Sequence, residues 1–489
     1  MFKRRIPVFA IAVLTMIGTA VSLNGCGGSG GGSSTPPPPP GNIQHVVVIF
    51  QENRSTDNLF QDPVLIGRGA DIAQSGKDSQ GNTIPLTETD IAVDYDPDHS
   101  HKAFNLMCDL NSVTGQCQMD GADLITVSCD PGAQDCPAPD LTFGYVDPTE
   151  VQPYFQMAET YTFSDRMFQT NQGPSMPAHQ FIISGTSAPS VGSNLFASEN
   201  PNTGKLSPNA GCDAPAASTV LLIDPTGNEK SNSPIYPCFE HPTLTDLLEA
   251  NGNTWRYYTP GTAPHSTQAI WTGPESIQHM CGPNAPPPNA TACVGSDWTN
   301  NVILNQTQIL TDITSNQLAN VSWVIPTGQE SDHAGIAGDN MGPSWVASVV
   351  NAIGNSPYWA NTAIFITWDD WGGWYDHVPP PQVLLNCTPA QWGCGYVYGF
   401  RVPLIVISPY AKAKYISTTP YVHDFGSILH FIEKTFNLPS LGYADAAADD
   451  FSDCFDFNQT PLQFQTIPAA LKADYFLNDK TPPLDPDDD

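Results

Sequence analysis

Basic side chains are scarce in this sequence. Its 489 residues include 17 Lys and Arg against 49 Asp and Glu, a formal net charge of −32 at pH 7. No cluster of Lys or Arg follows residue 5. Because binding to a nucleic acid backbone requires a local basic surface, nucleic acids are excluded as partners. Only 13% of the residues are charged and 40% are hydrophobic, so the chain is not an acidic disordered protein.

The cysteines lack the spacings that bind metal. Among the 12 Cys there is no CxxC motif and no Cys/His spacing suited to zinc. Loop-closing disulfides in an oxidising compartment are therefore the better interpretation. Proximity along the chain predicts the pairs Cys108–Cys117, Cys129–Cys136, Cys281–Cys293, Cys387–Cys394 and Cys212–Cys238, with Cys454 left over.

The N-terminal segment predicts export. Residues 1–26 contain three basic residues, then an apolar run from Ile6 to Leu23, then Cys26, a pattern typical of a secretory signal. The cysteine resembles that of a bacterial lipoprotein signal, whose thiol carries the lipid. We expect a membrane-anchored lipoprotein of the periplasm or cell surface, with plain secretion and an uncleaved anchor helix as alternatives. Residues 27–41 form a Gly/Ser/Pro tether, and 481–489 form an acidic tail.

Between these segments, residues 42–480 predict one α/β domain. Short β-branched runs alternate with helical patterns, which favours a doubly wound, mostly parallel sheet with helices on both faces. Residues 61–150 and 187–240 are rich in turn residues and Cys, and we expect them to be long, disulfide-linked insertions. The predicted strands are His45–Phe50, Thr254–Tyr258, Val321–Ile325, Ala363–Trp368 and Val402–Ser408, and the predicted helices are Thr243–Ala250, Ser344–Ile353 and His423–Phe436.

Polar motifs follow two of these strands. Gln51-Glu52-Asn53-Arg54-Ser55 ends the first, and Asp369-Asp370 precedes a Trp371-Gly372-Gly373-Trp374 turn at the end of another. Ligands of open α/β sheets gather at the carboxyl ends of strands. Oxygen-bearing side chains are the donors that hard cations prefer, and adjacent carboxylates at a buried strand end repel each other unless a cation neutralises them.

A longer series of motifs resembles one family, the bacterial phosphoesterases that unite type C phospholipases with secreted acid phosphatases. This family is itself similar to alkaline phosphatases. The resemblance implies an alkaline phosphatase-like fold. The matching segments, in order, are His45–Phe60, Gly173–Thr186, Ser331–His333, Ser356–Pro380, Gly399–Pro409 and His423–Leu438.

The same resemblance assigns site residues. It implies one divalent metal ion held by Glu52, Asn53, Asp369, Asp370 and Ser175, with the Ser175 hydroxyl as nucleophile. Calcium, magnesium, manganese, zinc and iron all remain open as the ion. The resemblance also implies that His99, His279 and His333 stabilise the phosphoryl oxygens and that His333 protonates the leaving group. His101 competes with His99, and we expect His377, His423 and His430 to be structural.

These residues predict a metal-dependent phosphoric ester hydrolase. The family's phospholipases typically have Thr where Ser175 stands and Asn-Arg where this chain has Ala178-His179. The departure favours a phosphomonoesterase of the acid phosphatase type, working through a phosphoseryl intermediate. The alternatives are a phospholipase C and a non-catalytic surface protein. The expected partners are a small phosphate ester or a phospholipid, and a membrane through the lipid on Cys26.

Overall fold

A nine-stranded sheet organises the chain. The computed structural model describes residues 43–202, 209–261, 268–383 and 398–482. The predicted signal segment with Cys26, the tether, most of the acidic tail and the predicted Cys387–Cys394 pair lie outside these ranges. No helix in the described ranges has both the length and the apolar character needed to cross a bilayer.

The strands are β1 His45–Gln51, β2 Ser75–Lys77, β3 Thr83–Pro85, β4 Thr87–Thr89, β5 Tyr95–Pro97, β6 Val127–Cys129, β7 Gly144–Val146, β8 Thr162–Phe168, β9 Phe196–Ala197, β10 Leu222–Ile223, β11 Trp255–Thr259, β12 Val302–Leu304, β13 Val321–Val324, β14 Thr362–Trp368, β15 Arg401–Ile407, β16 Tyr415–Ser417 and β17 His423–Asp424. The helices are α1 Thr56–Leu59, α2 Pro63–Gly67, α3 His101–Cys108, α4 Gln152–Thr160, α5 Ser175–Ser184, α6 Leu244–Ala250, α7 Gln278–Cys281, α8 Ser296–Asn301, α9 Gln308–Thr314, α10 Met341–Gly354, α11 Phe425–Phe436 and α12 Ala473–Asn478.

The main sheet has the strand order β12-β11-β13-β1-β14-β15-β8-β16, with β17 also paired to β8. Strand β15 runs antiparallel to both of its neighbours, β14 and β8. The remaining pairings in this sheet are parallel. The prediction of a mostly parallel sheet is therefore confirmed.

Helices cover both faces of the sheet. On β14, Phe365 contacts Phe431 of α11 at a ring-centroid distance of 5.1 Å, and Trp368 contacts Tyr154 of α4, also at 5.1 Å. Residues an odd number of positions apart on a strand point to opposite faces. The α11 layer and the α4 layer therefore lie on opposite sides, as the doubly wound prediction requires.

The centre of the sheet is dry. Val46 to Phe50 of β1 are completely buried, and so is all of β14. A strand buried on both faces needs a continuous apolar run rather than an alternating one, and this is how His45–Phe50 reads. Burial of apolar side chains on both faces stabilises these two strands, and the polar motifs lie at their ends.

Some boundaries and elements differ from the sequence prediction. The helix predicted from His423 begins at Phe425, because His423 and Asp424 pair with β8 and Asp424 caps the helix through the Ser427 amide. Strand β8 and helix α5 were not predicted. β8 contains Ser, Asp and Arg, and α5 is buried along its whole length and so lacks an amphipathic period.

Four predicted disulfides are confirmed: Cys108–Cys117, Cys129–Cys136, Cys212–Cys238 and Cys281–Cys293. Each lies in a segment outside the strands of the main sheet. Cys454 is a buried free thiol, as its place outside the predicted pairs implied.

Candidate active site

The two polar motifs meet because their strands are neighbours in register. Strands β1 and β14 pair in parallel, and Gln51 lies opposite Trp368. The next residues, Glu52 and Asp369, therefore leave the sheet at the same edge. The Asp369 amide donates to the Gln51 carbonyl at 2.9 Å, which holds the two chain turns together. The side chains of the two motifs therefore meet at the carboxyl ends of the strands, where the sequence predicts a site.

Ser175 reaches the same edge from a helix. It is the first residue of α5, a ten-residue helix that is buried throughout, and its side chain is 2% exposed. Its hydroxyl donates to Glu52 Oε2 at 3.4 Å. The preceding turn is tight, because a Cβ on Gly173 would lie 1.9 Å from the Ser198 carbonyl oxygen. Only glycine fits there, and the close packing of Gly173 against Ser198 places the first residue of α5 at the strand ends.

Asn53 is the pivot of the β1 turn. Its φ of 54° lies in the left-handed region, which Asn tolerates better than most residues. Its backbone N–H donates to Asp369 Oδ1 at 3.2 Å. With the amide nitrogen toward His99, the amide oxygen lies 3.1 Å from Glu52 Oε2 and 3.2 Å from Asp369 Oδ1. Three oxygens that close repel one another, so this orientation needs a cation between them.

The reversed amide satisfies the group without a cation. Its nitrogen then donates to both carboxylates, and its oxygen accepts from His99 Nε2 at 2.9 Å. Which orientation holds is a matter of the hydrogen-bond network, since oxygen and nitrogen of an amide have the same shape. The Asn53 side chain can therefore serve either as an oxygen ligand of a cation or as a hydrogen-bond donor to the two carboxylates.

His179 is a site residue that the sequence prediction missed. It lies one turn after Ser175 on α5, so the two side chains share a helix face. His179 Nε2 is 3.0 Å from Glu52 Oε1 and 3.9 Å from Asp369 Oδ2. Burial lowers the pKa of His179 to about 3, so the imidazole is neutral at ordinary pH. The i, i+4 spacing from Ser175 was the signal available in the sequence.

His99 and His333 lie together beside this cluster. Their ring centroids are 5.5 Å apart in an edge-to-face arrangement, and both side chains are buried. Hydrogen bonds orient each ring through Nδ1, which is 3.0 Å from the Pro97 carbonyl in His99 and 2.7 Å from the Ala334 carbonyl in His333. The structure therefore brings two of the three predicted histidines to the site.

His101, the alternative to His99, is engaged elsewhere. Its two ring nitrogens face the backbone carbonyls of Gln172 and Gly227, at 3.0 and 2.9 Å. His99 instead contacts Asn53. The geometry thus favours His99 as the site residue, and His101 as an anchor for the start of α3.

His279 is not brought to the cluster, contrary to its predicted role. It lies on α7 with 28% of its side chain exposed, where its Nδ1 is 2.9 Å from Glu240 Oε1. Its Nε2 is 3.5 Å from Asp246 Oδ1. Contacts with these two surface carboxylates account for the position of its ring. The catalytic role of His279 stays a prediction, which its contacts in the described residues do not support.

The site carries concentrated buried negative charge. Glu52, Asp369 and Asp370 are completely buried. Burial, followed by repulsion from Asp369 and Asp370, raises the pKa of Glu52 well above its usual range. Burial likewise raises the pKa of Asp369. Among the described residues, no Lys or Arg lies within ion-pair distance of Glu52 or Asp369, and His179 is the one basic side chain that does.

Those observations fit a bound cation. Asp369 Oδ2 is buried and accepts no hydrogen bond from the part of the chain that is described. Glu52, His179 and Asp369 each offer one ligand atom, and these atoms lie within 4.8 Å of one another. A metal ion among them would neutralise the repulsion and satisfy the orphaned oxygen. The residues present therefore fit a divalent ion.

The nearby arginines are committed to structure. The Arg54 guanidinium donates to the carbonyl oxygens of Asp332 and Ile91, at 2.6 and 2.7 Å. Arg401 is paired with Asp57 and Asp376, both at 3.0 Å. Both guanidinium groups therefore bond to the protein itself and hold the two motif loops in place.

The chain matches a known protein family and several curated proteins. The phosphoesterase family profile matches residues 43–439. Non-hemolytic phospholipase C of Pseudomonas aeruginosa is 25% identical over 472 residues, covering 88% of this chain and 60% of that protein. Phospholipase C A of Mycobacterium tuberculosis is 23% identical, covering 86% of this chain and 78% of that protein. The chain thus spans about 60% of the length of the Pseudomonas relative.

Among solved structures, a protein of the alkaline phosphatase superfamily from Vibrio parahaemolyticus aligns with 11% identity and a TM-score of 0.32. That alignment covers 62% of this chain and 64% of the other. The family match includes both strand-end motifs and the Ser175 helix. The protein therefore belongs to the phosphoesterase family.

Proposed function

We propose that this protein is a metal-dependent phosphomonoesterase in which Ser175 forms a phosphoseryl intermediate. The observation that carries the proposal is the position of Ser175 at the N-terminus of a buried helix, hydrogen-bonded to Glu52. A helix N-terminus favours negative charge, because its first amides have no partner within the helix. The serine oxygen and the phosphoryl oxygens would both bear such charge during the reaction.

Glu52, Asn53, Asp369, Asp370 and Ser175 would hold the ion. When bound, a divalent ion lowers the pKa of a coordinated hydroxyl and neutralises phosphoryl oxygens. Asp370 is positioned by the Gly372 amide, which donates to its Oδ1 at 2.7 Å. The turn after β14 thereby fixes a carboxylate that a flexible loop would leave mobile.

The proposed reaction has two displacements. Ser175 Oγ gives its proton to Glu52, the carboxylate to which it donates, and bonds to phosphorus; the bond to the ester oxygen breaks, and His333 gives that oxygen a proton. Water then gives a proton to His333 and attacks the phosphoserine, the bond from phosphorus to Oγ breaks, Oγ takes the proton back from Glu52, and inorganic phosphate leaves. Positioned imidazoles suit both steps, since a histidine can give and take a proton near neutral pH. His99, adjacent to His333, would stabilise the phosphoryl oxygens.

A monoester is favoured over a diester by the depth of the site. The side chains of Ser175, Asp369 and Asp370 are at most 2% exposed, so phosphorus must enter a narrow, buried position. A monoester carries one substituent on phosphorus, and a diester carries two. The second candidate is a phospholipase C, which is favoured by the names of the relatives at 23 to 25% identity.

The test compares the two substrate classes. The metal-loaded protein and Ser175→Ala are incubated with p-nitrophenyl phosphate and with phosphatidylcholine vesicles, and the products are identified. Release of inorganic phosphate from the monoester, lost in the variant, supports the proposal. Release of phosphocholine and diacylglycerol at the higher rate would make the protein a phospholipase C. No turnover of either, with no metal bound, would revive the non-catalytic surface protein.

We also propose that the chain is exported and attached to a membrane through a lipid on Cys26. Four disulfides in the described residues support an oxidising compartment. Metabolic labelling with a radioactive fatty acid should mark the wild-type chain and leave Cys26→Ser unlabelled. Equal labelling of the two chains would contradict the assignment of the lipid to Cys26.

A further inference from the structure

The ring of His179 is held in one orientation by Tyr257. The Tyr257 hydroxyl donates to the Trp271 carbonyl at 2.8 Å, which commits its proton. Its oxygen is then an acceptor for His179 Nδ1, 3.2 Å away. All three groups are buried. The proton of the imidazole therefore belongs on Nδ1, and Nε2 is the atom presented to the carboxylates.

With the proton on Nδ1, His179 Nε2 carries a lone pair, which carboxylate oxygens repel unless a cation lies between them. Glu52 Oε1 lies 3.0 Å from it, and Asp369 Oδ2 lies 3.9 Å from it. Asp369 Oδ2 accepts no hydrogen bond within the described ranges. Two ligand atoms that share a metal ion at about 2.1 Å are themselves roughly 3 to 4.2 Å apart, depending on the angle between them at the ion. The nitrogen and both carboxylates are thus spaced to share one ion.

We propose that His179 is a ligand of the metal ion and that its nitrogen selects a transition ion over calcium or magnesium. Imidazole nitrogen suits zinc, iron and copper, whereas calcium and magnesium prefer oxygen ligands. Tyr257 is a positioning residue, since it acts on the metal only through His179. The inference rests on the proposed function for the place of the ion and adds its chemical class.

The competing arrangement is an internal ion pair. A doubly protonated His179 would donate Nε2–H to Glu52 and would fill the position of a metal charge with its own. In that case removing His179 would increase the affinity for every divalent ion, because two buried carboxylates would lose their counter-charge. The two arrangements therefore predict opposite changes in metal affinity.

The experiment measures metal binding without substrate. The full chain is stripped with a chelator and titrated calorimetrically with Zn²⁺, Mn²⁺ and Ca²⁺, together with His179→Ala, Tyr257→Phe and the control His430→Ala. We expect His179→Ala to weaken Zn²⁺ binding more than about 100-fold and Tyr257→Phe about 10- to 100-fold. Ca²⁺ affinity should change little in either variant. The control should bind as wild type.

A second measurement needs no variant. In the Mn²⁺-loaded wild-type chain, electron spin echo modulation should show one directly coordinated histidine nitrogen, and this signal should vanish in His179→Ala. Unchanged Zn²⁺ affinity in a folded His179→Ala chain, tighter binding of all ions, or no nitrogen coupling in the wild type would each overturn the inference. Zn²⁺ bound through His179 without phosphatase activity would count against the proposed function alone.

Discussion

His99 Nε2 lies 2.9 Å from the side-chain amide of Asn53, whose far side faces the carboxylates of Glu52 and Asp369. One amide group therefore connects the histidine pair to the candidate cation site. If its oxygen binds a cation, its nitrogen donates to a neutral His99. If the cation is absent, the reversed amide oxygen accepts a hydrogen bond from His99 Nε2–H. The orientation of the Asn53 amide thus links the candidate cation site to the hydrogen bond of His99.

The clearest consequence of the proposed mechanism concerns Ser175. Ser175→Ala should reduce kcat on p-nitrophenyl phosphate by about 10³-fold or more, because no other hydroxyl donates to Glu52 in the described residues. Initial rates on the metal-loaded enzyme measure this. Ser184→Ala, on the same buried helix, is the matched control and should keep most of the activity. Near wild-type turnover by Ser175→Ala would exclude Ser175 as nucleophile.

The histidine assignment can be tested in pairs. His99→Asn should lower kcat by about 10²- to 10⁴-fold, because His99 contacts the cluster through Asn53. His101→Asn should mainly lower thermal stability, since His101 bonds the carbonyls of Gln172 and Gly227. Rates and unfolding midpoints of both variants distinguish the two roles. A larger rate loss in His101→Asn would reverse the assignment.

His279 offers a test of sequence reasoning against tertiary structure. Its imidazole pairs with Glu240 and Asp246 at the surface. His279→Ala should change kcat/KM by less than about twofold, because a group remote from the reacting atoms supplies no transition-state stabilisation. A loss comparable to that of His99→Asn would return His279 to the catalytic set.

The buried carboxylates should make the metal-free chain less stable than its packing allows. Glu52→Gln removes a carboxyl group whose pKa is raised by its burial and then by repulsion from Asp369 and Asp370. We expect the unfolding midpoint of the chelator-treated variant to rise on the order of 2 °C, while its metal affinity falls. Differential scanning calorimetry with and without metal measures both. The exposed control Asp130→Asn should shift neither quantity, and a lower midpoint for metal-free Glu52→Gln would contradict the prediction.

Stability should fall as the pH rises from about 6.5 to 8.5. Burial raises the pKa of Glu330 to about 7 and that of Asp424 to about 7. The unfolded chain has already lost these protons in this window, so the folded chain binds more protons and loses stability as pH rises. His179, which is neutral in the folded chain and returns to its ordinary pKa of about 6.5 on unfolding, opposes this slope only at the acid end of the window.

Urea unfolding at pH 6.5, 7.5 and 8.5 in the presence of a chelator measures that slope. Each proton retained by the folded chain contributes about 1.4 kcal/mol per pH unit. Glu330→Gln, whose partner Gln306 Nε2 lies 2.7 Å away, should flatten the dependence. A slope identical to that of the wild type would mean that Glu330 is already ionised in the folded chain.

The sequence by itself determined the sheet and half of the site. His45–Phe50 and Ala363–Trp368 are almost entirely apolar, as a strand buried on both faces requires, and a carboxylate follows each within two residues. Since parallel strands end at one edge, Glu52, Asn53, Asp369 and Asp370 had to lie near that edge wherever the two strands sat in the sheet. Three of the four disulfide pairs followed from short spacings of 7 to 12 residues, whereas Cys212 and Cys238 are 26 residues apart.

Tertiary structure decided which distant residues join them. Strand order placed β1 beside β14, and α5 packed across that edge, so that His179 entered the site although the sequence did not predict its helix. The direction of β15 and the removal of His279 to the surface were also undetermined, because pairing partners and loop paths depend on contacts far apart in the chain. Local sequence patterns indicate which residues can carry out chemistry, and long-range packing determines which of them lie in contact.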